Sequence, residues 1–214
     1  MRLMKSPRTL QRHRASGGFT LIEIMVVMAL IGVLMALSLN VSTAWKAQKL
    51  TAQARGVASE CSQAILMAQK DNFPVEMRFY QMPDDMGAGS VTAFRAYQLV
   101  RLTGYNPADG KAIYKNLTEV KYFTDDIILH EAAEYTSIKN LPVQSPPEDA
   151  IPLRGAPRNF VAFMFLPNGT TTLPRSPDAV FTFVKENELK SADALPDNYR
   201  SMVLQPVTGQ STVY

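Results

Sequence analysis

The chain has one cysteine, Cys61, among its 214 residues, so no disulfide can close within it. Its two histidines are His13 and His130. With so few, neither a Ser-His-Asp triad nor a zinc set of histidine and cysteine at ligand spacing can be assembled from the sequence. No glycine-rich phosphate loop and no paired catalytic carboxylates are evident. The expectation is therefore a non-enzyme, with no catalytic, cofactor-binding or metal-binding residue to nominate. Proline is missing from Phe19 to Lys70, which removes the commonest cause of a helix kink over that stretch. Acidic residues are missing from the first eighteen positions, where Arg2, Lys5, Arg8, Arg12 and Arg14 stand alone. Beyond that leader, 17 basic residues face all 19 acidic ones, a net of −2. The basic balance thus belongs to the leader, which argues against nucleic acid as a partner.

What is present is one long apolar run. Phe19–Val41 holds a single charge, Glu23, and as a helix its 23 residues span about 35 Å, enough to cross a bilayer. A secretory signal peptide would explain the basic start, with Ala36-Leu37-Ser38 as a small-residue cleavage site. Its apolar core is usually about 7–15 residues, however, and would not contain Glu23. An ordinary single-pass anchor, held N-terminus inside by the leader's charge, explains length and orientation. It leaves Glu23 and the Gly17-Gly18 pair without a reason. A carboxylate in hydrocarbon costs roughly 2.5–3.5 kcal/mol, so Glu23 asks for a partner.

The run Gly17-Gly18-Phe19-Thr20-Leu21-Ile22-Glu23 resembles the cleavage and methylation site of type IV prepilins and of the pseudopilins of type II secretion. The resemblance covers residues 1 to about 70. It implies that a prepilin peptidase cuts between Gly18 and Phe19 and N-methylates Phe19. It also implies that Glu23 pairs with the Phe19 amine of a neighbouring subunit and so sets the assembly register. The implied partners are other pilin or pseudopilin subunits, the peptidase, an inner-membrane platform protein, a cytoplasmic assembly ATPase and membrane lipid. The implied location is the inner membrane in a single pass, N-terminus cytoplasmic and head periplasmic, then a filament in the periplasm or at the cell surface. Asn40 stands where many major subunits carry a proline, so the chain is more similar to minor pilins and pseudopilins.

After Val41 the pattern becomes amphipathic. Ala54, Val57, Ala58, Cys61, Ala64, Ile65 and Ala68 recur at spacings of three and four, with Gln53, Arg55, Glu60, Gln63 and Gln69 between them, which predicts a helix ending near Asp71-Asn72. Strands are expected at Val75–Tyr80, Phe94–Leu102, Val120–Phe123, Ile127–Leu129, Phe160–Leu166, Val180–Val184 and Met202–Gln205, with a last hairpin reaching Val213-Tyr214. Pro167-Asn168-Gly169-Thr170 and Pro206-Val207-Thr208-Gly209 read as turns. The fold class is α+β: a long N-terminal transmembrane helix continuing into an antiparallel sheet or sandwich head. The expected division is a basic leader (1–18), a transmembrane helix (19–41), an amphipathic extension (42–72) and a β-rich head (73–214). The Phe-Leu-Pro-Asn-Gly-Thr run and the Pro-x-Thr-Gly-x-x-x-Val-Tyr ending resemble the GspH/FimT branch of minor pseudopilins and pilins. They also resemble a pilin-like cassette family, Verru_Chthon cassette protein D.

Other features have simpler readings. Asp84 and Asp85 could meet a calcium ion, but they lack the spacing of an EF-hand and suit a solvated hairpin loop over 83–90. The sequons at Asn116 and Asn168 carry little weight, the second being a turn. Pro142, Pro146, Pro147, Pro152 and Pro157 exclude helix and central strand over 140–157, leaving a long loop of the kind that often binds. Arg154, Arg158 and Arg175 form the one patch that DNA could use.

Overall fold

The computed structural model describes residues 18–83, 92–124, 126–147, 150, 152–191 and 193–214, with the backbone alone at 37–44. The chain divides between Thr43 and Ala44 into two compact units. One helix, α1 (Leu21–Asp71), contributes to both. It stops where the pattern predicts, at Asn72, whose φ of 54° is the left-handed turn that commonly closes a helix.

In the unit from Ala44 onward, α1 is core material. Leu50, Ala54, Val57, Cys61, Ala64 and Ala68 are fully buried, one side chain per turn along a single face. Glu60, expected on the wet side, is buried as well and pairs with Lys121 Nζ. It flanks the apolar stripe, and the lysine stem reaches across to bring its charge alongside.

Two antiparallel sheets complete the head. The first has β1 (Val75–Met82) between β2 (Ala93–Tyr105) and β6 (Phe160–Phe165), with β3 (Ala112–Asn116) and β4 (Lys121–Tyr122) both pairing with β2. The second runs β5 (Ile127–Leu129), β7 (Ala179–Lys185), β8 (Tyr199–Leu204), β9 (Ser211–Val213). The α+β class and the expected strands are present; β3 is an addition. It is an edge strand with mostly exposed side chains, so it lacks the alternation that marks a half-buried strand.

Phenylalanines join the two sheets. Phe181 of the second lies 5.6 Å from Phe79 and 6.1 Å from Phe163 of the first, ring centre to ring centre. Such pairs add about 0.5–1.5 kcal/mol beyond the area they bury.

Both predicted turns form, and the structure gives the reason for their glycines. Gly169 and Gly209 have φ of +86° and +66°. A Cβ on Gly209 would stand 2.7 Å from Ile65 Cδ1 on α1, and one on Gly169 would stand 3.2 Å from Gln69 Nε2. The turns are tied to each other, since Thr171 donates its backbone N–H and its hydroxyl to Pro206 O, at 2.8 and 3.0 Å. Helix and turns therefore meet closely enough that only hydrogen fits at Gly209.

Candidate functional site

The N-terminal unit presents a seam and a helix. Gly18, Phe19 and Thr20 precede the first helical residue, Leu21, and are exposed. A Cβ added at Gly18 would meet nothing within 4 Å, so no contact inside the chain demands glycine there. Any demand must come from outside the chain, as close approach of another molecule to the backbone would impose.

Thr20 and Glu23 form a reciprocal cap. Glu23 N donates to Thr20 Oγ1 at 3.3 Å, while Glu23 Oε2 accepts from Thr20 N at 3.1 Å and from Thr20 Oγ1 at 3.2 Å. This capping box satisfies helix N–H groups that have no partner inside the helix. Its Thr-x-x-Glu spacing is legible in the sequence, where attention to the charge passes over Thr20. The carboxylate also sits in the first turn, where the helix dipole favours negative charge.

Beyond the cap, the helix is apolar on every side. From Leu21 to Met35 each large hydrophobic side chain is exposed, Leu21 at 78% and Met35 at 66%. A helix hydrophobic all round belongs in lipid or inside a larger assembly. Among the described residues no helix is long and apolar enough to cross a membrane. The expected span 19–41 runs on into positions whose side chains lie outside the described residues.

Residues 13–39 match the family model of the prokaryotic N-terminal methylation motif. The chain carries a type IV prepilin-like signature. The matched stretch contains Gly18, Phe19, Glu23 and the exposed apolar helix together; its first residues, 13–17, lie outside the described residues, as does most of the basic leader. No curated protein and no solved structure matches the chain, so the signature rests on this motif and the head is read from its own geometry.

In the head, the remaining sequence candidates are dispersed. Cys61 is buried with its Sγ 3.7 Å from Met77 Sδ, and burial, with Glu60's charge second, pushes its thiol up to about 12. His130 is fully buried, its Nδ1 accepting from Ala132 N and its Nε2 facing Ala194 O at 3.3 Å. Both ring nitrogens are thus occupied by backbone. Among the described residues no group of histidine, cysteine and carboxylate side chains could hold a metal ion. Asp84 and Asp85 lie outside the described residues. Of the arginine patch, Arg158 donates to Leu153 O and Arg154 O, and Arg154 lies over the Tyr122 ring at 4.8 Å. Arg175 is exposed.

Sequence reasoning misses the outer face of the first sheet. Glu76, Arg78, Tyr80 and Gln98 alternate with core residues and read as solvent-facing, yet all four are buried. Arg78 Nε donates to Glu76 Oε1 at 2.5 Å, and its guanidinium lies between the rings of Tyr114 and Phe160, at 4.5 and 4.6 Å. Burial, then the Glu76 charge, pushes the Tyr114 hydroxyl up to about 12.

Proposed function

We propose that the chain is a minor pilin or pseudopilin, a structural subunit of a type IV pilus or of a type II secretion pseudopilus, and not an enzyme. The observation that carries this reading is the methylation motif at 13–39, with Gly18 and Phe19 ahead of a fully apolar helix bearing one carboxylate. A prepilin peptidase cuts between Gly18 and Phe19 and N-methylates Phe19. The helix holds the subunit in the inner membrane, head in the periplasm, until the platform protein and the assembly ATPase transfer it to a filament of related subunits.

Glu23 then has two successive partners. In the isolated chain its carboxylate accepts from Thr20, which offsets part of the cost of a charge in lipid. In the filament it meets the charged Phe19 amine of the next subunit, an ion pair that fixes the axial step. Removing one member of a buried pair typically costs about 3–5 kcal/mol.

Mass spectrometry of the mature N-terminus tests the processing: any start other than Phe19 sinks it. Glu23→Ala tests the register. It should leave cleavage intact and mature protein in the membrane, while filament incorporation falls. Wild-type incorporation of the variant would remove the docking role and leave the processing untouched.

A further inference from the structure

The proline-rich segment does more than connect strands. It folds over the outer face of the first sheet, with Gln144 bridged to Phe160 and Leu153 bridged to Ala156, and leaves a cavity of about 490 Å³ between them. That volume lies in the usual range for ligand sites, about 300–1,000 Å³. Tyr80, Leu153, Phe160, Pro146 and Pro147 give it an apolar interior. The wall is preformed. Tyr80 Oη donates to Gln98 Oε1 at 2.8 Å, Gln98 Nε2 donates to Thr118 O at 2.9 Å, and Arg158 braces the segment by donating to Leu153 O at 3.2 Å.

Charge decides the ligand class. Arg78 is neutralised by Glu76 and covered by a ring on each face. Arg158 is spent on backbone carbonyls and shares the lining with Glu119. No surplus charge of either sign is offered, so an anion gains nothing by entering, and neither does a cation. Asn116 and Glu119 stand exposed in the lining, a donor and acceptors suited to a peptide backbone.

We infer that this cavity is a docking site for an extended polypeptide segment that inserts one uncharged aromatic side chain. The ring fills the space against Tyr80, Phe160 and the two prolines, and the flanking peptide groups bond to Asn116 and Glu119. Aromatic anchors in preformed pockets are the usual centre of such contacts.

The test uses the full chain in detergent micelles and three probes: N-acetyl-L-phenylalanine methylamide, phenylacetate and phenethylammonium. Saturation-transfer NMR should show the neutral amide binding at least about tenfold more tightly than either charged probe, as expected of an apolar anchor in a charge-balanced pocket. Val120→Trp, which fills the cavity from its wall, should abolish that signal. Ala150→Trp fills it from the proline segment and serves if the first variant does not fold. Tightest binding of phenylacetate would make it an anion site, and equal binding to the filled variants would place the amide elsewhere. No binding of any probe would leave a cavity without the proposed role. Each of these outcomes overturns the inference.

Discussion

Two stretches of α1 have the same backbone and opposite side-chain logic. From Leu21 to Met35 apolar residues occupy nearly every position and all are exposed; from Leu50 to Ala68 they recur once per turn and are fully buried. The backbone hydrogen bonds are alike, so helix formation does not distinguish them. The periodicity does, by stating how much of the circumference must leave water. The first stretch asks for an apolar surrounding on all sides, which this chain does not supply. The second asks for one apolar neighbour, which the head provides.

The comparison predicts that substitutions in the two stretches fail differently. The largest effect should come from Gly18→Val. No neighbour in the chain opposes the added carbons, so head stability should be unchanged while processing is close to abolished. Immunoblots for the leader-retaining form, beside denaturation midpoints, would check this, and a destabilised head would break the separation. Next comes Phe181→Ala, which empties the junction of the two sheets and should cost about 3–5 kcal/mol. Cleavage after Gly18 should proceed normally in that variant.

Gly209→Val is smaller and sharper. Both the positive φ and the approach to Ile65 oppose it, for about 1–3 kcal/mol. Combining it with Ile65→Ala should recover the steric part alone; full recovery would mean that backbone conformation contributes nothing. The smallest effect is alkaline. The Cys61 thiol is held up to about 12 when folded, against roughly 8.5 when unfolded. Because the folded value is the higher one, its contribution is complete below about pH 8.5 and is lost as pH rises toward 12. Urea midpoints should therefore fall with rising pH by a fraction of a kcal/mol at about pH 9, and Cys61→Ala should flatten the slope.

What was readable from the sequence follows the range of the interactions. The helix end, the buried stripe and most strands are set by neighbours in the chain, through spacing, Asn72 and the turn glycines. The buried outer face was not readable. Glu76 and Arg78 alternate as exposed residues do, and only the proline segment, some seventy positions on in the chain, turns them inward. The seam divides the same way. Gly18, Phe19 and Glu23 stand out as letters, whereas the bonds joining Thr20 to Glu23 required coordinates, although their spacing was on view.

The tie between the turn at Gly209 and the helix bears on the order of events during synthesis. Ser211 Oγ donates to Ala58 O across 153 positions, and Gly209 rests on Ile65. Ribosomes make the helix first, yet it gains these neighbours only after some 150 further residues have emerged. Contacts so distant in sequence form slowly. Meanwhile the waiting stripe is built largely of Ala54, Cys61, Ala64 and Ala68, which expose less hydrocarbon than leucines would and so offer less to wrong partners. The small side chains that let the head approach the helix closely also keep the nascent chain quiet until that approach can happen.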